Sequence, residues 1–132
     1  MLDRLNLAAK EAAIQHGMEG LKALGNNEQF NCLYGAPTLI IVSGDERAPM
    51  PLDADCAAAM ENMLLAAESI GVGSCWIFFV LLAFYSSQGS ELRKELKIPE
   101  SYKPYYSAVL GYKNGVAPKA ADRKPDLITY IR

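Results

Sequence analysis

Apolar residues recur along this chain at two spacings, and each spacing predicts a different element. Within residues 2–24, leucines and alanines recur at roughly helical spacing and predict a first helix. Gly25-Asn26-Asn27 stops this pattern, since glycine and asparagine readily adopt the conformation that follows a last helical turn. Residues 38–43 form a short apolar run bounded by glycines, which predicts a strand buried on both faces.

The clearest predicted helix covers residues 53–70. Asp53 is its predicted N-cap, and Asp53 and Asp55 together oppose the positive end of the helix dipole. The interior is rich in alanine and carries few charges, so we expect protein to cover most of its circumference. This is the predicted central buried helix, and Gly71 is its predicted C-cap.

Two further strands and one helix complete the predicted order. Residues 74–78 predict a second buried strand, residues 89–96 a helix, and residues 106–112 a third strand. The tail, residues 113–132, is rich in Pro, Lys and Asp and ends in an apolar segment, which we expect to pack on a dimer partner. No repeat or linker interrupts this order. The sequence therefore predicts one α+β domain over residues 1–132, a mixed sheet flanked by helices.

Composition narrows the class of protein. With 132 residues, 51% of them hydrophobic, the chain is long enough for one domain with its own core. A net charge of −2 offers no basic surface for nucleic acid. Three cysteines without a C-x-x-C pair, and an amino terminus unlike a secretory signal, predict a cytoplasmic protein with reduced thiols. The uncharged stretch 70–85 is shorter than the roughly 20 apolar residues of a membrane-spanning helix.

The Gly71-Val72-Gly73 motif lies in the wrong order for a dinucleotide-binding loop. In that fold the glycines follow a strand and open a helix whose N–H groups hold the pyrophosphate. Here a predicted helix ends before the glycines and a predicted strand follows them. Taken alone, the motif is best interpreted as a capping turn.

Other chemistry-bearing residues receive structural interpretations. His16 is the only histidine, so neither a metal site nor a Cys/His nucleophile is expected. Cys75 has apolar neighbours, which favours core packing over a reactive thiol. The acidic residues of the helix 53–70 fit capping better than paired acid–base catalysis. No catalytic side chain and no metal ligand is therefore assigned.

Five sequence blocks carry a resemblance to a known family. In chain order they read YGAPTLIIV from Tyr34, DCAAAMENMLLAA from Asp55, GVGSCWI from Gly71, LKIPESY from Leu96 and LGY from Leu110. Each block is short, but the five in this order closely resemble the nitroreductase family. The resemblance covers nearly the whole chain.

This resemblance implies a homodimeric, FMN-dependent oxidoreductase that takes hydride from NAD(P)H and reduces nitroaromatics, quinones or related acceptors. It also implies that the backbone after the Gly-x-Gly lies against the flavin ring, with an N–H near Ile77 or Phe78 facing flavin N5. Arg123 matches the carboxy-terminal basic residue that reaches the FMN phosphate, and Lys119 and Lys124 are candidate helpers. The implied cofactor-binding residues are Ser74, Cys75, Trp76, Ile77, Phe78 and Arg123.

The chain also departs from the family pattern. Its arginines form no Arg-x-Ser-x-Arg cluster of the kind that grips the FMN phosphate, and it begins where an internal helix of the family would begin. We therefore expect an amino-terminally shortened member that binds FMN weakly or not at all and shows little NAD(P)H oxidation as isolated. Phe78 and Phe79 stand where many members have small residues and would narrow the space over the flavin. The alternative is a non-catalytic, flavin-poor remnant of the fold that acts as a dimeric binding or structural protein.

Overall fold

The computed structural model describes residues 1–115, 119–124, 129 and 131. Most of the predicted apolar end of the tail lies outside these residues. No helix in the described part of the chain is long and apolar enough to cross a membrane. The elements, in chain order, are α1 Leu2–Gln15, α2 Glu19–Asn26, β1 Thr38–Asp45, α3 Leu52–Ser69, β2 Val72–Ile77, a 3-10 helix Phe79–Tyr85, α4 Gly89–Glu95 and β3 Tyr102–Tyr112.

The three strands form one antiparallel sheet with the order β1-β3-β2. The last strand of the sequence is therefore the central one, and it pairs with both neighbours. Ala108 of β3 lies between Ile40 of β1 and Trp76 of β2. Within the described residues β1 and β2 are both edge strands, so alternate residues of each direct backbone N–H and C=O groups away from β3.

Side chains that alternate along the strands divide the sheet into two differently covered faces. On one face, Ile77 and Val109 pack into the main core together with α1 and the 3-10 helix. Leu5 of α1 and Val80 of the 3-10 helix are fully buried there. On the other face lies α3, and the Tyr106 hydroxyl of β3 donates a hydrogen bond to Asp53 of α3 at 2.8 Å. Helices thus cover both faces of a small sheet, as expected for the α+β class.

The predicted first helix, residues 2–24, is two helices. The backbone of His16 is extended, and α2 begins only at Glu19, with the Met18 N–H donating to His16 Nδ1 at 3.2 Å. Periodicity alone did not reveal this break because the apolar spacing continues through it. Gly25 explains how α2 folds back onto α1: a Cβ there would lie 2.8 Å from the Lys10 carbonyl oxygen.

The helix α3 confirms the predicted end and corrects the predicted beginning. It ends at Ser69, and Gly71 has a φ of 77°, the left-handed conformation expected of a capping glycine. The N-cap is Pro51 and not Asp53. The Asp53 carboxylate instead accepts the hydrogen bond from Tyr106, while Asp53 and Asp55 still place negative charge in the first turn.

Within this chain α3 is less covered than its composition predicts. Only Cys56, Met60 and Ala67 are buried, and Leu65 remains 60% exposed. The expectation that protein covers most of the helix is therefore not met inside a single copy. An exposed apolar helix face of this kind is typical of a protein–protein contact.

The three predicted strands occur, all of them longer than expected and two of them less buried. β1 extends to Asp45 and is only partly buried, because it is an edge strand. β3 begins at Tyr102, four residues before the predicted start. The second strand was expected to be buried through Phe78; it runs from Val72 to Ile77, and its middle residues are exposed. The apolar residues that follow form the buried 3-10 helix.

Candidate functional site

The five predicted flavin-contacting residues of the segment 74–78 do not form one wall. Alternation along β2 places Ser74 and Trp76 on the α3 side of the sheet, and Cys75 and Ile77 on the α1 side. All five residues lie along or directly after β2, and the outer edge of this strand pairs with no other described strand. A planar ligand can therefore contact this segment through its backbone and through one face, but not through all five side chains.

Trp76 is held in place by an aromatic contact with β3. Its ring meets the Tyr106 ring edge-to-face at a centroid distance of 5.0 Å, and it remains partly exposed. The hydrogen bond that Tyr106 donates to Asp53 raises the pKa of the tyrosine hydroxyl above its ordinary value. Trp76, Tyr106 and Asp53 thus link β2, β3 and α3 beside the candidate site.

Ile77 and Phe78 differ in environment. Ile77 is 5% exposed, and its carbonyl oxygen accepts a 2.7 Å hydrogen bond from the hydroxyl of Ser107, a fully buried serine. Phe78 follows the last residue that pairs with β3 and is 64% exposed. Among the described residues no backbone hydrogen bond is donated by the Phe78 N–H, whereas its carbonyl accepts from Leu81. The segment therefore ends with an anchored carbonyl and an available N–H.

A groove of about 520 Å³ lies beside the beginning of β2. Its volume falls within the range of small-molecule sites, roughly 300–1,000 Å³. Two of its glycines lie in tight quarters: a Cβ at Gly73 would lie 3.1 Å from the Gly111 carbonyl oxygen, and one at Gly111 would lie 3.3 Å from the Pro37 side chain. The groove is lined by Tyr34, Gly35, Ala36, Pro37, Gly73, Ser74, Cys75, Val109, Leu110, Gly111, Tyr112 and Asn114.

One wall of this groove has an unusual backbone. Tyr34 has a φ of 53° and Gly35 a φ of 73°, so both occupy the left-handed region. For a tyrosine this conformation is uncommon and is found most often where the surrounding structure requires it, including at ligand sites. Sequence reasoning missed Tyr34 as a site residue; the turn residues Gly35 and Pro37 after it were the available signal.

A second, smaller pocket of about 240 Å³ lies at the other end of β2. We call it the aromatic pocket. Phe78 and Tyr85 form an exposed part of its wall, at 64% and 67% exposure. The complete lining is Asp53, Phe78, Leu81, Leu82, Tyr85, Lys103, Pro104 and Tyr105. Phe78 thus lies beside the segment 74–78, and whether it narrows the space over a flavin stays a prediction, whereas Phe79 is buried in the core.

The residues that line the large groove are uncharged. Among the described residues that line the groove there is no cationic side chain. Lys113 lies close to Gly73, but its ammonium is paired with both carboxylate oxygens of Glu68 at 2.7 Å. Arg123 is exposed and is not a lining residue. The groove thus offers space and backbone groups to a ligand, and no cation among its described lining residues that could pair with a phosphate.

The cysteines differ in exposure, and the predicted core packing of Cys75 is wrong. Cys75 is exposed and does not pack in the core, because the edge strand leaves that position uncovered. Cys32 is buried, and burial raises the pKa of its thiol to about 11. In the part of the chain that the structure describes, no group of three His, Cys, Asp or Glu residues could hold a metal ion.

Comparison with known proteins identifies the fold. The Nitroreductase family matches residues 2–112. A nitroreductase with bound FMN from Bacteroides fragilis superimposes with a TM-score of 0.88 at 36% identity, covering 99% of this chain and 70% of that one. A nitroreductase with bound FMN from Desulfitobacterium hafniense gives 0.82 at 26% identity, with the same coverage.

Two relatives found by sequence also carry nitroreductase names, and this chain aligns with less than half of the length of each. A protein of Archaeoglobus fulgidus, named "Putative NADH dehydrogenase/NAD(P)H nitroreductase", is 37% identical over 86 residues. A protein of the same name from Methanothermobacter thermautotrophicus is 36% identical over 80 residues. These alignments span 61% and 58% of this chain but only 47% and 40% of the relatives. The family match, the superposition on two FMN-bound structures and the five ordered sequence blocks agree, and the chain belongs to the nitroreductase family.

Proposed function

We propose that this protein is an FMN-dependent, cytoplasmic NAD(P)H oxidoreductase that reduces nitroaromatics, quinones or related acceptors. The observation that carries the proposal is the outer edge of β2, which is followed directly by Phe78 with an available N–H and has a groove lined by glycines at its beginning. Membership of a family whose solved members include FMN-bound nitroreductases supports this assignment.

The chain's own residues would bind and orient the cofactor. Bound FMN supplies hydride and electron transfer, for which flavins are suited and side chains are not. Backbone N–H groups at Ile77 or Phe78 would face flavin N5, and the segment from Ser74 to Trp76 would lie along the ring. An uncharged strand edge suits this role because it provides a donor and a flat contact without an ionisable side chain.

Arg123 is the proposed phosphate ligand, with Lys119 and Lys124 nearby in sequence. A guanidinium can bind two phosphate oxygens with its planar fork, which an isolated ammonium does less well. Since no cation lines the large groove among the described residues, this one contact would carry much of the phosphate affinity. We therefore expect binding in the micromolar range and not below it.

We further propose that the protein is a homodimer through α3. Leu65 of this helix is 60% exposed, and Ile70, the residue that caps its carboxyl end, is 76% exposed, so large apolar side chains remain uncovered along and at the end of α3. Sedimentation at micromolar concentration should give a dimer, and Leu65→Arg should shift it toward monomer. Leu7→Arg is the matched control because Leu7 is a similarly exposed leucine on α1. A wild-type monomer contradicts this proposal.

The function is tested by titrating FMN into the purified protein while following flavin fluorescence. We expect saturable micromolar binding that Arg123→Ala weakens about tenfold or more, because a charge-assisted hydrogen bond contributes about 1.5–3 kcal/mol. Lys94→Ala, an exposed cation on α4, is the control and should bind like wild type. The loaded protein should then oxidise NAD(P)H when a nitroaromatic or quinone is added.

The lack of a cation among the described residues that line the groove favours one alternative, a dimeric binding or structural protein that holds little flavin. The same titration separates the two. A colourless protein that shows no saturable FMN binding at millimolar concentration supports the alternative and contradicts the enzyme. Submicromolar binding abolished by Arg123→Ala contradicts the expectation of weak affinity but supports the enzyme.

A further inference from the structure

One asparagine–glycine pair lies directly after the last strand. Asn114 and Gly115 follow β3, whose pairing with β2 ends at Tyr112. Both residues of the pair are exposed. Asn114 also lines the large groove, so a chemical change at this residue changes the groove.

The backbone nitrogen of Gly115 is unprotected. Among the described residues its N–H donates no backbone hydrogen bond, whereas pairing in a helix or a sheet would hold it in place. Its φ of 115° is a conformation that residues other than glycine rarely adopt. Apart from its chain neighbours, no described atom lies within 4 Å of the place where a Cβ would stand. The Gly115 nitrogen can therefore approach the side chain that precedes it.

The Asn114 carboxamide is the electrophile within reach of this nitrogen, and it forms no hydrogen bond with a described residue. Attack by the Gly115 nitrogen on Asn114 Cγ forms a C–N bond and closes a succinimide ring. The side-chain nitrogen leaves as ammonia and takes the proton that the Gly115 nitrogen loses. Water then adds to either ring carbonyl and opens the ring to an aspartate or an isoaspartate. Water is the only co-reactant, and nothing is oxidised or reduced.

The other asparagines are held in ways that Asn114 is not. Asn31 is also exposed, but its Oδ1 accepts a 2.8 Å hydrogen bond from the Leu33 N–H. The backbone N–H that follows it, that of Cys32, donates to Asn6 Oδ1 at 2.9 Å. The remaining asparagines lie in helices or accept a hydrogen bond from the backbone N–H two residues further along: Asn6, Asn26, Asn27 and Asn62.

We propose that Asn114–Gly115 is a site of spontaneous deamidation, and that the carboxylate it produces places a negative charge on the rim of the large groove. No described lining residue is a cation that could offset this charge, and the Lys113 ammonium is already paired with Glu68. An anionic ligand in the groove would therefore be repelled. The effect on FMN rests on the proposed function, whereas the modification itself does not.

The modification is tested by peptide mass spectrometry of the purified protein, fresh and after several days in mildly alkaline buffer, which favours loss of the Gly115 proton. We expect the Asn114 peptide to gain the mass difference between an amide and a carboxyl group, and to separate into aspartate and isoaspartate forms. The Asn31 peptide should stay unchanged. Asn114→Gln keeps the carboxamide but needs a larger ring that closes more slowly, so it should stop the reaction. An unchanged Asn114 peptide, or equal conversion at Asn31, would overturn the proposal.

Asn114→Asp carries the charge from the start and tests its effect on the groove. We expect the FMN dissociation constant to rise about two- to fivefold, the range of a partly exposed charge. Asn27→Asp is the control, because Asn27 does not line the groove and an aspartate there can keep the hydrogen bond from Gln29. Equal FMN affinity in Asn114→Asp and wild type contradicts the effect on the groove. Deamidation in a protein that binds no FMN contradicts the proposed function and leaves the modification site standing; FMN-dependent turnover without deamidation does the reverse.

Discussion

The hydrogen bond from Ser107 to the Ile77 carbonyl predicts how firmly the end of β2 is held. Ser107 is 0% exposed, its Oγ lies 2.7 Å from the carbonyl oxygen, and Ile77 is itself buried. Ser107→Ala removes this donor in a place that water does not reach. A hydrogen bond contributes a net 0.5–1.5 kcal/mol or so, and a buried acceptor left without a partner costs about 1–3 kcal/mol.

We therefore expect Ser107→Ala to lower the free energy of unfolding by about 1–2 kcal/mol. With a urea slope of about 2 kcal/mol/M, the unfolding midpoint should fall by about 0.5–1 M. The assay is urea unfolding at fixed protein concentration, since any dimer makes stability depend on concentration. Fluorescence of Trp76, the only tryptophan, reports on the same strand.

Ser87→Ala is the matched control. The Ser87 hydroxyl also donates a hydrogen bond, to Glu11 at 2.8 Å, but this contact is exposed and water can replace it. We expect it to change the midpoint by less than about 0.25 M, since substitutions at such surface sites usually stay within about 0.5 kcal/mol. If both variants lose the same stability, the buried hydrogen bond does not anchor β2 and our reasoning about its environment is wrong.

Two further predictions concern thiols and acid stability. Cys75 should react with a thiol reagent in the native protein, whereas the buried Cys32 and Cys56 should react only in denaturant; a fast-reacting thiol that persists in Cys75→Ser contradicts this. The hydrogen bond from Arg47 lowers the pKa of Asp45, so its contribution is present above the unfolded pKa near 4 and is lost as pH falls. Asp45→Asn should flatten the fall of the melting temperature below about pH 4, and an equal fall in both proteins contradicts it.

Local signals made much of the fold predictable. Gly71 was identified as a cap because a left-handed residue is needed where a helix turns into a strand, and glycine meets that need at little cost. The helix α4 and the central part of β3 were found from turn residues and apolar runs. These features depend on neighbours within a few residues, which the sequence displays directly.

The errors arose where tertiary position decides the outcome. The apolar run 74–78 predicts a buried strand. β2 lies at a sheet edge instead, and Cys75 is therefore exposed. The sequence also could not bring Asp53 and Lys103 to one pocket. They come together because α3 packs across β3, a contact between segments 50 residues apart in sequence.

The two cavities bear on how a cofactor could use the segment 74–78. Ser74 lines the large groove and Phe78 lines the aromatic pocket. Four residue steps of about 3.3 Å in extended chain put Ser74 and Phe78 at most about 13 Å apart. A ligand that uses both ends must be elongated and must follow the strand edge, where it meets backbone groups more than side chains. Replacing the side chain of Cys75, although it lines the large groove, should therefore affect FMN binding less than Gly73→Val, which disturbs the backbone because a Cβ there would lie 3.1 Å from the Gly111 carbonyl oxygen.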